Sequence, residues 1–267
     1  MGVINVTPDS FSEGGRHFDP ARAIEHGLQM VADGASILDI GGESTRPGAQ
    51  DLSAEEELKR LVPVIDALRD CGAALSIDTR KPEVMRAVLA EGVDMINDVE
   101  GCRSESAIAA LASSPVCGVC VMHMLGTPNS MQRDPRYDDV VGEVYAWLAN
   151  RVGALTAAGV DARRLLVDPG IGFGKRLEHN LALIASLDRF SQLAPVLIGV
   201  SRKSMLGTIT GRPVGERLAG GLAAMLAAVT RGARVVRVHD VAQTRDALQV
   251  WQAIEQAGAT PELRRRG

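Results

Sequence analysis

Eight positions along this chain place side chains fit for ionic or acid–base chemistry at the end of a short apolar run. They are Asn5, Asp39 to Glu43, Asp78, Asn97 with Asp98, His123, Asp168, Ser201 to Lys203, and Arg237 to His239. Any one of them is as readily a helix cap or a solvated strand end as a ligand-binding group. Parity separates the two readings. Arg237 and His239 lie two apart and share one face of a strand, while Val236 and Val238 face the other way. An inward arginine is costly unless it meets an anion or a π-system, and a guanidinium can serve both. The alternative is a structural pair with one of the sheet's own carboxylates. Asp78, Asn97 and Asp168 end three different runs. Such acceptors and an amide suit a heterocycle that presents N–H groups beside a ring nitrogen and a carbonyl. Structural salt bridges are again the alternative.

Two further segments carry polar groups. Ser201-Arg-Lys-Ser204 runs into an expected seventh helix, whose first N–H groups favour a carboxylate or phosphate, with Lys203 adding a positive charge. Gly41-Gly-Glu-Ser-Thr-Arg-Pro-Gly48 is too polar for a plain connector. Gly170-Ile-Gly-Phe-Gly-Lys175 is not a Walker loop, because Pro169 and Arg176 stand where Gly and Ser or Thr are required. Cys117 and Cys120 are three apart in an apolar run, so they face opposite sides and read as core cysteines. No HExxH, paired CxxC or Asp-rich calcium loop occurs. Any metal should therefore come with the substrate, and Mg²⁺ carried by phosphates is the natural candidate.

The elements that must position these residues are regular. The runs GVIN, SILDIG, ALSID, DMIND, VCGVCVMH, RLLVDPG, VLIGVS and RVVRVHD alternate with helical stretches. Asp19 before Pro20, Ser53 with Glu56, and Pro82 mark three helix starts. Eight strand–helix alternations imply a parallel sheet closed as a single-domain (β/α)8 TIM barrel, with the active site at the C-terminal ends of the strands. An open doubly wound sheet is the runner-up. The barrel is expected over 1–258, with a solvated tail over 259–267. The first run has only four residues against a usual length of about five to six, so residues upstream of Met1 are expected.

Composition narrows the function. Within 267 residues, 29 Lys and Arg face 33 Asp and Glu, and aromatics are 3%. No basic face and few stacking rings argue against a nucleic-acid partner. No leader pattern or apolar run of about 20 residues is present, so no membrane association is expected. Four scattered cysteines fit a reduced, cytoplasmic protein.

The segments MGVINVTPDSFSEGG, DIGGESTRPGA, SIDTRKPEV, MINDVEG, DPGIGFGK, GVSRKSMLG and RVHDV resemble the signature blocks of bacterial dihydropteroate synthases, in family order from Met1 to about Trp251. The resemblance implies a cytoplasmic homodimeric transferase of folate biosynthesis, a sulfonamide target. It would join 6-hydroxymethyl-7,8-dihydropterin diphosphate to p-aminobenzoate, releasing pyrophosphate. It implies that Asp78, Asn97, Asp168 and Lys203 hold the pterin with Arg237 stacked on the ring. Asn5, Arg237 and His239 would bind the diphosphate, and Asn5 the Mg²⁺. Thr45, Arg46, Pro47, Phe173, Lys203 and Ser204 would shape the p-aminobenzoate pocket. Asn5, Asp78, Lys203, Arg237 and His239 would serve the chemistry, a dissociative route with closure of the first two loops excluding water. The small-residue stretch Leu218 to Met225 suits close packing, within the barrel or between copies. Glu13, Glu100 and Cys102 depart from the family pattern. A pterin-dependent methyltransferase and a non-catalytic pterin-binding paralogue are the competing readings; the loop at Ser44 to Pro47 and the Arg237/His239 pair speak against both.

Overall fold

The computed structural model describes residues 1–7, 19–44, 51–128 and 130–259. Eight parallel strands run in chain order as β1 (Gly2–Asn5), β2 (Ile37–Gly41), β3 (Ala74–Asp78), β4 (Met95–Asp98), β5 (Gly118–Met122), β6 (Leu165–Asp168), β7 (Val196–Ile198) and β8 (Ala233–Val236). Each pairs with its sequence neighbour, which gives one curled α/β sheet in a single domain. The two ends of the sheet meet. Val3 N donates to Val238 O at 3.1 Å, and Val238 N donates to Met1 O at 2.9 Å.

Helices connect the strands. They are α1 (Pro20–Ala32), α2 (Ala54–Leu68), α3 (Pro82–Ala90), α4 (Glu105–Ala112), α5 (Val140–Ala157), α6 (Leu177–Ala185), α7 (Leu187–Phe190), α8 (Ser204–Thr210), α9 (Leu218–Val229) and α10 (Val241–Ala259). The three starts read from sequence are found. Asp19 accepts from Ala21 N, Ser53 Oγ accepts from Glu56 N at 3.2 Å, and Pro82 opens α3. The Glu56 carboxylate takes Lys59 instead of completing a capping box. The sixth and seventh connections are each split into two helices, where one was expected. A Gly211 in the left-handed region (φ 71°) ends α8 after two turns, so α9 has to start afresh.

The inward faces of β4, β6 and β8 are sorted by height. Cys120, Met95 and Leu197 form an apolar cluster with Met1, Leu166 and Val235 toward the N-terminal ends. Two residues further on, the same faces carry Asn97, Asp168 and Arg237. The opposite faces pack into the helix layer with Ile4, Leu38, Ile40, Ile77, Ile96, Val121 and Val167. Cys117 belongs to that outer core and Cys120 to the inner cluster, so the pair does divide between faces. Both thiols are unpaired.

The last strand departs from expectation. β8 stops at Val236, so Arg237 and His239 stand beyond it. The chain nevertheless stays extended, because Arg237 N still donates to Ile198 O at 2.9 Å while Val238 turns its backbone to β1. The expected parity survives through this change of partner. Val236 and Val238 both join the helix-side core.

Candidate active site

Strand register sets the first level of the site. Asn5 pairs with Gly41, Gly41 with Asp78, and Asp78 with Asn97, so four strand ends lie side by side. A Cβ at Gly41 would make only ordinary contact with the Asp78 side chain, 3.5 Å from its Cβ. Asp168 sits opposite Met122, and His123 N donates to Asp168 O at 2.9 Å.

Below this level lies Asp39, fully buried, with three donors. Ser76 Oγ donates at 2.6 Å, Asn97 Nδ2 at 3.1 Å to Oδ2, and Arg237 Nε at 2.5 Å to the same oxygen. Arg237 Nη2 reaches Asp78 Oδ2 at 2.8 Å. The guanidinium therefore forks across two carboxylates, the structural pairing that stood as the alternative in the sequence. Burial works against its charge, but Asp39 and Asp78 hold its pKa above the ordinary arginine value. Burial pushes the Asp78 carboxyl up to about 7; Arg237 opposes this, and Asp39, Glu57 and Asp98 add to it.

Opposite stands a second group. Burial lowers Lys203 to about 8 against the attraction of Asp168, and raises Asp168 against that of Lys203. The Lys203 ammonium donates to Ile171 O and lies 4.8 Å from the Phe173 ring centroid. Phe173 belongs to a loop whose glycines at 170, 172 and 174 all have positive φ. Four successive carbonyls of this loop accept from four different side chains. Ile171 O takes Lys203, Gly172 O takes Gln132 at 2.5 Å, Phe173 O takes Lys175 at 3.0 Å, and Gly174 O takes Tyr137 at 2.9 Å. Gly170 N donates to Asp168 Oδ1 at 2.7 Å, which ties the loop to the strand end.

Lys175 itself is buried, and its Nζ lies 3.0 Å from His123 Nδ1. Burial brings Lys175 down to about 7 and His123 down to about 3, the latter aided by Lys175. His123 was counted among the strand-end groups, yet it serves this loop.

The remaining residues fall around the rim. His239 Nδ1 lies 3.0 Å from Ser201 Oγ, joining the seventh and eighth strand ends. Asn5 is half-buried at the end of β1, and Ser204 is exposed at the first position of α8. Asp98 turns away by parity and accepts from Glu100 N at 2.8 Å and Cys102 N at 2.7 Å, so it shapes its own loop. Glu100 pairs with Arg80 at 3.2 Å, and Arg80 and Lys81 both hold Glu43. Glu43 in turn accepts from Leu52 N at 2.8 Å. Thr45, Arg46 and Pro47, like Glu13, lie outside the described residues.

The structure thus brings together Asp78, Asn97 and Arg237 on one side and Asp168, Lys203 and Phe173 on the other. Lys175 is an organising residue that sequence reasoning did not single out, and Asp39 was counted among the strand-end groups without being given a role. Asp39 had a usable signal: it shares strand parity with Gly41 and would face the same mouth.

The chain matches the family described as pterin binding enzyme over residues 1–239. It is 48% identical over 261 residues to a dihydropteroate synthase of Neisseria meningitidis serogroup B, with 95% of this chain and 92% of that one covered. A solved dihydropteroate synthase of Xanthomonas albilineans with 4-aminobenzoic acid superposes with a TM-score of 0.90 at 51% identity, covering 97% of this chain and 93% of that chain. One from Burkholderia cenocepacia complexed with 7,8-dihydropteroate gives a TM-score of 0.88 at 49% identity, covering 97% and 91%. The chain therefore belongs to the pterin-binding enzyme family and, within it, to the dihydropteroate synthases.

Proposed function

We propose that this protein joins 6-hydroxymethyl-7,8-dihydropterin diphosphate to p-aminobenzoate, giving 7,8-dihydropteroate and pyrophosphate, in a closed (β/α)8 barrel with its active site at the C-terminal strand ends. The observation that carries the reading is the paired acid–base floor, with Asp78, Asn97 and Arg237 facing Asp168 and Lys203. The bonds from Val238 to Met1 and Val3 support closure of the barrel.

On this reading Asp78, Asp168 and Asn97 accept from and donate to the edge of the pterin, Lys203 donates from the Asp168 side, and Arg237 lies against the ring. Arg237 and His239 receive the diphosphate. Phe173 and Ser204, with Thr45, Arg46 and Pro47, border the p-aminobenzoate. The methylene–oxygen bond breaks with its electron pair leaving on the diphosphate, and Arg237 and His239 offset the growing charge. The remaining methylene cation is favoured by the carboxylates of Asp78 and Asp168. The p-aminobenzoate nitrogen then forms the C–N bond and releases one proton. No side-chain nucleophile is required.

Magnesium fits this donor set. Among the described residues no group of three or more His, Cys, Asp and Glu could hold a metal ion. An ion brought by the diphosphate, keeping most of its waters and taking the Asn5 amide as a hard oxygen ligand, suits such a site. When bound it would neutralise part of the diphosphate charge.

The same reading makes the protein a cytoplasmic homodimer without nucleic-acid or membrane partners. Unpaired thiols support the compartment. Exposed Leu218, Val250 and Ile254, on the adjoining helices α9 and α10, support burial against a second copy. No helix of the described residues is long and apolar enough to cross a membrane.

The test is pyrophosphate release by the purified protein with pterin diphosphate, p-aminobenzoate and Mg²⁺, each omitted in turn. Release is expected only with all three, coupled to dihydropteroate formation and abolished in Arg237→Ala. Pterin binding without release would overturn the synthase reading in favour of a non-catalytic binder.

A further inference from the structure

A carboxylate with three side-chain donors lies beneath the mouth, where its side chain has no exposed surface. Asp39 is fully buried, one layer below Asp78 and Asn97. Its three bonds go to three different strands or their continuations, at Ser76, Asn97 and Arg237. Two of these partners are groups assigned above to the pterin.

Each bond restricts a partner in a definite way. Asp39 Oδ2 accepts from Asn97 Nδ2, so the amide oxygen of Asn97 is left for other donors. It also takes the Nε edge of Arg237, while the Nη2 edge is spent on Asp78. The two edges are not equivalent. Asp78 keeps 14% of its side chain exposed and Asp39 none, so only the Asp78 edge is open to exchange with an incoming ligand. A ring whose N–H groups bind Asp78 must displace or share Nη2. A guanidinium held at one end turns about that end, whereas one held nowhere loses its position.

We propose that Asp39 is a positioning residue for the transfer reaction: it anchors the Nε edge of Arg237 and the amide of Asn97 from beneath, so that Arg237 can turn from Asp78 to the bound ring without leaving the mouth. The ion pair of Arg237 with Asp78 is then the ligand-free station, and the bond to Asp39 is common to both stations. This rests on the reading of the mouth as the pterin site. The two ideas fail separately: a wild-type protein that makes no dihydropteroate sinks that reading. A wild-type protein that makes it while Asp39 is dispensable sinks only this one.

Asp39→Asn and Asp39→Ala test the anchor in steady-state kinetics, with pterin diphosphate and p-aminobenzoate varied separately and the fold checked by circular dichroism. Asparagine keeps an acceptor in place and removes the charge. It should lower kcat/KM for the pterin diphosphate by about tenfold, since a charge-assisted bond is roughly twice as strong as a neutral one. Alanine removes all three bonds and should cost about 100-fold. In both variants KM for p-aminobenzoate should stay within about twofold of wild type, because Phe173 and Ser204 do not touch this anchor. An Asp39→Asn protein with pterin kcat/KM within about twofold of wild type overturns the proposal, and so does an equal rise in KM for both substrates. If Asp39→Ala does not fold, the asparagine variant alone decides.

Discussion

The two halves of the mouth are held in opposite ways. Around Asp78, side chain binds side chain: Asp39, Asp78, Asn97 and Arg237 satisfy one another. Around Phe173, side chain binds backbone: Lys203, Gln132, Lys175 and Tyr137 each hold one carbonyl of the 170–174 loop. The first arrangement can exchange partners with a ligand without disturbing the chain. The second fixes the path of the chain itself, with glycines where other residues would be strained. On the proposed reading, a site that adapts to the pterin and keeps a rigid wall for p-aminobenzoate gains from having one of each.

Breaking the rigid half should have the largest effect. Gly170 has φ 70°, and a Cβ there would fall 1.9 Å from His123 O, a backbone atom that cannot step aside. Gly170→Ala should cost more than about 3 kcal/mol in chemical denaturation. A loss below about 1 kcal/mol would show that the loop is not rigid.

An intermediate effect contrasts the halves through pH. Asp78 has a folded pKa raised to about 7 from 3.8, so the folded state holds a proton that the unfolded chain releases. Its contribution to stability is therefore greatest at low pH and declines between about pH 4 and 7. Lys175 is lowered to about 7 from 10.5, so the unfolded chain binds the extra proton and stability rises between about pH 7 and 10. Thermal melts across pH should show Asp78→Asn gaining on wild type between pH 4 and 7. Lys175→Met should lose ground to wild type between about pH 7 and 10. Parallel curves for wild type and either variant would remove that group from the comparison.

The smallest effect sharpens it. Tyr137→Phe deletes one of the four carbonyl bonds, the one at 2.9 Å to Gly174 O. About 1 kcal/mol of stability should go, with KM for p-aminobenzoate rising about twofold and KM for the pterin diphosphate unchanged. A larger change on the pterin side would mean that the two halves are coupled.

Much of this is legible in the amino-acid sequence, for reasons local to the chain. Helix starts at Pro20, Ala54 and Pro82 follow from capping chemistry confined to a few residues. Strand faces follow from alternation, which is why Arg237 and Cys120 point inward and Val238 and Cys117 outward. The split seventh connection was not legible, because Gly211 signals an end without saying whether a second helix follows.

What the amino-acid order determined by itself was the alternation of elements, the family, and which side chains face the mouth, since these depend on spacing along one segment. Which of those side chains meet was decided only by tertiary structure. Asp39 and Arg237 are 198 residues apart, and His123 and Lys175 are 52 apart. Their pairing depends on strand register and on burial, which sets the strength of every charge in the mouth. Neither quantity exists until the sheet has curled.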